Sequence, residues 1–359
     1  MIALVLVGGE GTRLRPLTYD LPKPMLPVLE RPMIARVVEW LAVHGVSRVV
    51  FSLGYRPDAF VEAFPGDSWA GVELAYAVEP ERLDTAGAIR FAARAAGVAG
   101  ETLVVVNGDV LTDLDLGALV AFHGAHGGEA TIALTPVEDP SAYGVVPTDG
   151  DGRVLEFIEK PARDEAPTNQ VNAGTYILEP SVLERIAPDR PVSIEREVFP
   201  FLVRDGALYA RSSDAYWLDT GTPERYIQAQ LDVLRGLRPD VALPECTETS
   251  PGIWLAPGAR VGGACLGHVF VGASAAVGQG AVLEESVLAA RVQVAAGARI
   301  SHSLVLGGAA IGPDAVVEDS IVGPGASIGA KAVLRAATVI GAGAIVAGGE
   351  YLDSARLPV

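Results

Sequence analysis

Between Leu4 and Thr18 an apolar run breaks into a turn with Gly8, Gly9 and Gly11, followed by Arg13 and Arg15. Glycine lets a backbone approach an anion closely and turn its N–H groups toward it. The two arginines add positive charge where phosphates would sit, so the chemistry suggested is the holding of a phosphorylated ligand. The turn lacks the Gly-Lys-Ser/Thr close of a Walker loop, and no acidic residue follows at the distance of a dinucleotide fingerprint. A second candidate is Asp109, which follows the apolar run Leu103–Val106 at the carboxyl end of an expected strand, where α/β sheets build their sites. Taken alone, Glu159 and Lys160 read as a surface charge pair. His44, His123 and His126 fall in or near expected helices and read as surface residues, while His268 and His302 fall in a repetitive C-terminal half and read as structural.

These residues need elements to position them, and the bulk properties say which kind. At 359 residues the chain exceeds the usual single domain, and 50% hydrophobic with 20% charged residues describes a globular protein. A net charge of −17 argues against a nucleic-acid partner, which would need a basic surface. A single nucleotide stays possible, because a local cluster of N–H groups, Lys and Arg can hold it. Cys246 and Cys265 are too few for a disulfide framework and fit no metal spacing. No signal peptide opens the chain, and no apolar run approaches the roughly 20 residues of a membrane span. The expectation is a cytoplasmic protein with no membrane partner.

Up to about Leu237 the sequence alternates short β-branched runs with helical stretches. Ile2–Val7, Arg48–Leu53, Thr102–Val106 and Ala130–Thr135 suit buried strands of a mostly parallel sheet. Met33–His44 and Ala86–Ala96 carry apolar residues three and four apart, and Gly45 is a natural stop for the first. Strand and helix in alternation give an α/β, Rossmann-like sheet with helices on both faces, assigned to residues 1–237. A final helix over Pro223–Leu237 leads to a Pro-, Thr-, Ser- and Glu-rich linker, 238–252.

From 253 to 359 the chain repeats. Val277, Val294, Ile311, Ile328 and Ile345 are spaced by 17, as are Leu283, Ile300, Val317 and Leu334, and Val271, Leu288, Val305, Val322 and Val339. The columns lie 6, 6 and 5 residues apart, so each coil has three short sides with an aliphatic residue inward. That is a hexapeptide-type parallel β-helix, whose coils bury their aliphatics only by stacking. Its open ends favour a homo-oligomer.

The first turn belongs to a longer string. Continued by Leu21 to Pro27, it resembles the signature of the sugar-phosphate nucleotidyltransferases, and the resemblance extends along nearly the whole chain. It is carried by Leu83–Gly87, Asn107–Asp109, Tyr143–Val146, Phe157–Pro161, Val171–Gly174, Ser193–Pro200 and Trp217–Pro223. The nearest branch transfers a guanylyl group and ends in a left-handed β-helix. The resemblance implies attack by an oxygen of α-D-mannose 1-phosphate on the α-phosphorus of GTP, giving GDP-mannose and pyrophosphate. It implies that Arg13 and Lys23 grip the triphosphate, that Asp109 and Asp219 hold Mg2+, and that Lys160 and Glu159 bind the phosphate and a hydroxyl of the sugar. Leu6, Gly8, Gly9, Gly11, Thr12, Asn107 and Gly108 would contact the nucleotide, and Glu79, Thr85 and Gly87 would read its base. Tyr143, Gly144, Asn172, Ala173 and Gly174 would line the sugar pocket.

One position departs from the pattern. Members of this branch usually carry glycine where this chain has Asp84, although Asp tolerates positive backbone angles better than most residues. The base is therefore less settled than the reaction, and glucose 1-phosphate with dTTP or UTP is the alternative pair. Two other classes are a non-catalytic sugar-nucleotide sensor and a bifunctional enzyme with acyl transfer on the β-helix. Retention of Arg13, Lys23, Asp109, Lys160 and Asp219 speaks against the first, and the short tail after Tyr351 against the second.

Overall fold

A computed structural model describes every residue except Tyr55, Asp189 and Val359. Its contacts gather into two compact units, each built from two stretches of chain. One comprises Met1–Gly9 with Ile34–Trp217, the other Glu10–Met33 with Leu218–Val359.

The first unit is organised by a ten-stranded sheet. Ile2–Leu6 lies parallel between Arg48–Leu53 and Leu103–Asn107, and Val72–Val78 extends the parallel set. Successive strand residues point to opposite faces. Ala3, Leu4 and Val5 are all buried, as are Val49 to Leu53, so both faces of this centre are covered. Beyond Leu103–Asn107 the direction changes. Gln170–Leu178 runs antiparallel both to Leu103–Asn107 and to Ala130–Pro136, and Gly144–Val145 with Ile158–Glu159 continues that antiparallel side. The α/β class expected from the sequence is present, but the sheet is mixed: a buried apolar run reports burial of a strand and not its direction.

The helices follow their apolar spacing. Asp84–Ala95 buries Ala86, Ile89, Ala92 and Ala93 in the same core as Leu4 and Val50. Met33–Val43 ends as Gly45 takes φ +78° and the Val46 N–H returns to the Leu41 carbonyl at 3.1 Å. His123 corrects one expectation. Instead of facing solvent it is buried at 6% exposure, its ring nitrogens 2.8 Å from Thr131 Oγ1 and 3.0 Å from Glu179 Oε1. The face of Leu116–His126 that carries it turns inward, and the two oxygens satisfy the imidazole there.

In the second unit the C-terminal strands pair in parallel, coil upon coil, after an antiparallel lead-in of Thr247–Ser250 with Ile253–Leu255. The aliphatic columns form one continuous core. Beside them runs a ladder invisible in the hydrophobic pattern. Ser303 N–H donates to Ser286 Oγ and Ser320 N–H to Ser303 Oγ, each at 3.1 Å, while each hydroxyl donates to a carbonyl at the same corner. All three buried hydroxyls donate, and those of Ser286 and Ser303 accept as well.

Along the three columns read from the sequence the period breaks once. Leu283, Ile300, Val317 and Leu334 keep the 17-residue register, but Val322 pairs with Ile340 and Ile328 with Val346. The columns expected to end on Val339 and Ile345 therefore end one residue later. At the earlier corners one residue, His302 or Asp319, takes positive φ; at this corner both Ala336 and Ala337 do, which accommodates an inserted residue. Ile345 is 78% exposed, and Val346, at 1%, holds its place. Among the described residues no helix is long and apolar enough to cross a membrane, and both cysteines are free thiols.

Candidate active site

In the second unit the signature segment folds back on itself. Gly11 has φ +60°, and a Cβ there would lie 2.9 Å from Lys23 Cβ and 3.0 Å from Thr18 Cγ2. Thr18 Oγ1 donates to the Gly11 carbonyl at 2.9 Å. In the turn Thr12–Leu14, Leu14 is fully buried while the Arg13 side chain is 62% exposed. Lys23 follows Pro22 in a second short turn, Lys23–Met25, and is only 5% exposed. Its Nζ lies 3.1 Å from Asp219 Oδ1, and Arg13 Nη2 lies 3.9 Å from Asp219 Oδ2. Gly221 makes room: a Cβ there would meet Arg13 Nη2 at 2.4 Å. Two cations thus converge on one carboxylate. Arg15 is engaged elsewhere, by Glu10 at 2.7 Å and over the Tyr19 ring.

The lysine segment is anchored by the helix Pro223–Leu234. Thr222 caps that helix, and Pro223 sits at its first position. Tyr226 Oη and Gln230 Nε2 both donate to the Pro27 carbonyl, at 2.6 and 2.9 Å. Burial pushes the Tyr226 phenol far above its ordinary pKa, which keeps it a donor.

In the first unit Leu6 and Asn107 end adjacent parallel strands in register. Gly108 N–H donates to the Leu6 carbonyl at 2.9 Å, and a Cβ on Gly108 would lie 2.4 Å from Val7 Cγ1, so glycine is required immediately before Asp109. Gly8 packs against Gly54, where a Cβ on Gly54 would lie 3.4 Å from Gly8 Cα. Gly9 is exposed with nothing near its missing side chain.

Glu79 stands beside these strand ends. Its Oε1 accepts from Ser52 Oγ and its Oε2 from Leu83 N–H, each at 3.1 Å, so the carboxylate is held by two donors from different elements. Asp84 opens the following helix at φ +58°, the left-handed angle that glycine would take without strain. Its Oδ1 accepts from Thr85 N–H at 2.8 Å, and this local bond is why an aspartate can stand there. Thr85 Oγ1 donates to Glu195 Oε2 and accepts from Ile194 N–H, both at 2.8 Å. Gly87 lies against the Arg190–Val192 backbone, with 3.3 Å between its Cβ position and the Arg190 carbonyl.

The antiparallel side of the same sheet gathers the remaining candidates. Gly174 has φ +73° at a register shift between Asn172 and Tyr176, and a Cβ there would lie 2.6 Å from Asn107 Nδ2. Asn172 Oδ1 accepts from Gly174 N–H and its Nδ2 donates to Tyr176 Oη, each at 2.9 Å. Gly144 pairs with Glu159, and Lys160 N–H donates to the Tyr143 carbonyl at 3.0 Å. Lys160 has φ +51°, and its Nζ lies 3.3 Å from Glu159 Oε1. Tyr143, Gly144, Glu159, Lys160, Asn172, Ala173 and Gly174 thus form one cradle.

Sequence reasoning assigned no role to three residues that hold these pieces. Trp217 Nε1 donates to the Ala173 carbonyl at 2.8 Å, and its ring meets Tyr143 edge-on at 5.3 Å. Tyr176 supports Asn172, and Glu195 ties Thr85 to Ser193. Trp217 and Glu195 stand inside recognised motifs, which was the available signal; Tyr176 had none.

Asp109 and Asp219 are single carboxylates, one in each unit, and among the described residues no three His, Cys, Asp or Glu gather as a metal cage. A lone carboxylate suits a hard divalent ion, which takes one or two carboxylates and completes its shell with substrate phosphates and water.

Comparison with known proteins agrees along the chain. Residues 2–236 match the nucleotidyl transferase family, and residues 265–357 match the GMPPB C-terminal domain. A mannose-1-phosphate guanylyltransferase of Mycobacterium tuberculosis is 40% identical over 304 residues, covering 82% of this chain and 81% of that protein. A mannose-1-phosphate guanyltransferase of Schizosaccharomyces pombe is 41% identical over 271 residues, 74% of each chain. The crystal structure of HddC from Yersinia pseudotuberculosis superposes with a TM-score of 0.57 at 30% identity, covering 65% of this chain and 99% of that one.

Proposed function

The chain belongs to the nucleotidyl transferase family, and on that premise we propose that it transfers a guanylyl group from GTP to α-D-mannose 1-phosphate, releasing pyrophosphate. The observation that carries the reaction class is the convergence of Lys23 and Arg13 on Asp219 inside the glycine-shaped signature segment. Two polyanions must meet in this reaction, so the protein's task is charge neutralisation and in-line positioning. Lys23 holds the triphosphate from a fixed, buried position, and the exposed Arg13 closes on it from the rim. Lys160 takes the phosphate of the sugar, with Glu159, Asn172 and the Tyr143–Gly144 backbone around the hexose. Asp109 and Asp219 would hold Mg2+, which supplies neutralisation of the reacting phosphates when bound.

The base reading rests on Glu79. A carboxylate only accepts hydrogen bonds. Guanine offers it two adjacent donors, its ring N–H and its amino group, whereas uracil and thymine offer one. Glu79, already oriented by Ser52 and Leu83, suits guanine. Thr85 acts through Glu195 and Ile194 and so shapes the segment rather than touching the base itself. We place the enzyme in the cytoplasm, assembled as a homo-oligomer through the coil; a sedimentation mass of monomer alone would contradict that assembly.

The test is pyrophosphate release by the purified chain. Release is expected only with a nucleoside triphosphate, a sugar 1-phosphate and Mg2+ together. No release with any pair of substrates would sink the enzymatic reading.

A further inference from the structure

The helix Asp84–Ala95 turns Ala86, Ile89, Ala92 and Ala93 to the core. Gly87, Arg90, Phe91 and Arg94 follow at the three- and four-residue spacing of a second face. Within the first unit that face lines an open cavity of about 430 Å3, together with Leu83 and Arg190. Gly87 lets the walls meet, since a Cβ there would lie 3.0 Å from Leu83 Cβ and 3.3 Å from the Arg190 carbonyl. Glu79, Thr85 and Asn107, assigned above to the nucleotide, are not among its lining residues.

Three arginines meet at this cavity, and two of them lack a counter-charge. Arg190 is engaged, its Nη2 donating to Glu197 Oε2 at 2.6 Å and its Nη1 to the Pro191 carbonyl at 2.9 Å. Among the described residues the side chains of Arg90 and Arg94 have no hydrogen bond or ion pair, and Arg90 Nε is buried without a partner. Glu81, the one carboxylate among the described lining residues, pairs with none of the three. Acids are not scarce, since the chain holds 44 Asp and Glu against 27 Lys and Arg. Like charges four residues apart on a helix repel, and a buried donor without an acceptor costs stability. An anion seated between Arg90 and Arg94 would remove both costs.

The lining also says which anion. A planar guanidinium presents paired N–H donors that match the oxygens of a phosphate. Beside the arginines the wall is apolar, formed by Pro80, Leu83, the half-buried Phe91, Ala95 and Ala187. An apolar wall with a few converging donors is the pattern of a small-ligand site. We infer that this cavity binds a phosphorylated small molecule, its phosphate between Arg90 and Arg94 and its apolar or aromatic body against Phe91. The site is separate from the reaction centre, and it does not depend on the roles given to Arg13, Lys23 or Glu79.

Arginine labelling by phenylglyoxal, read residue by residue by mass spectrometry, tests this on the full-length chain without any assay of turnover. GMP serves as the organic probe and inorganic phosphate as the bare anion. GMP should protect the exposed Arg94 while the exposed Arg299 of the coil stays labelled. Inorganic phosphate should need about tenfold more for the same protection, the share of a modest apolar contact. In Arg90→Gln the GMP concentration that protects Arg94 should rise by about tenfold or more, the scale of one lost charge-assisted bond. Labelling of Arg94 unchanged by GMP would overturn the inference, and so would protection at the wild-type concentration in Arg90→Gln. Equal potency of phosphate and GMP would remove the organic body from the site. Equilibrium dialysis gives a second reading if Arg90→Gln does not fold. Arg94→Gln alters only an exposed side chain and should bind one GMP fewer per chain; an unchanged number would also overturn the inference. Arg13 is read from its own peptide in the labelling experiment, so failure of nucleotide binding at the reaction centre is distinguished from failure here.

Discussion

The charge cluster on Asp219 and the cradle around Gly174 are built in opposite ways. In the cluster, long side chains are held by one another's charge: Lys23 and Arg13 meet a single carboxylate, with glycines clearing the space. In the cradle, short side chains and backbone interlock, so that Asn172, Gly174, Asn107 and Tyr176 each fix the next. A charged side chain in the cluster can therefore be removed with modest effect on the fold. The cradle loses its shape when one atom is added.

The largest effect should come from the cluster. Lys23→Met keeps the buried stem and removes the charge, and kcat should fall by about a hundred- to a thousandfold. Circular dichroism should show an intact fold; loss of activity in step with unfolding would erase the contrast drawn above. Arg13→Ala, at a mostly exposed side chain, should lower kcat less and leave the melting temperature unchanged.

In the cradle, Gly174→Ala should behave differently. It places a methyl against Asn107 at a positive φ, costing about 1–3 kcal/mol of stability, and should raise KM for the sugar 1-phosphate. A raised KM without a lower melting temperature would show the cradle to be softer than its bonds suggest.

A smaller effect is expected at Asp84. Asp84→Gly keeps the left-handed angle and should leave KM for the triphosphate near wild type, whereas Asp84→Val, which can neither adopt that angle easily nor accept from Thr85 N–H, should raise it. Equal KM values would detach this residue from the nucleotide.

The smallest effect separates framework from site. Hydrogen bonds from Arg185 hold the Glu129 and Asp205 carboxyls below their ordinary range. Carboxyls depressed in the folded state contribute stability that is present above the unfolded carboxylate range and is lost as pH falls through their folded values. Arg185→Ala should therefore lower the melting temperature near neutrality, with the difference shrinking as the pH drops below about 4. A pH-independent difference would assign the effect to packing.

Much of this was legible in the sequence, for reasons that differ by region. The aliphatic columns announce the coil because stacking demands one inward residue per side. They could not reveal the extra residue at Ala336–Ala337, since Val339–Ile340 and Ile345–Val346 are both aliphatic pairs and either member fits the pattern. The buried strands were readable, but the antiparallel course of Gln170–Leu178 was not, because direction leaves no mark on a fully buried run. His123 looked exposed because Thr131 and Glu179, which satisfy it, meet it only through tertiary packing. The glycine-shaped turn and the recognised motifs marked the site, while Trp217, Tyr176 and Glu195 support it through contacts no spacing encodes.

The most direct test of the central claim is a single competition. Purified chain, Mg2+, equal GTP, UTP and dTTP, and equal mannose and glucose 1-phosphates would be incubated together and the nucleotide sugars resolved by mass. GDP-mannose should dominate, and its lead over the uridine and thymidine products should collapse in Glu79→Gln, which replaces the accept-only carboxylate. A dominant uridine or thymidine sugar from the unaltered chain would contradict the assignment of base and sugar.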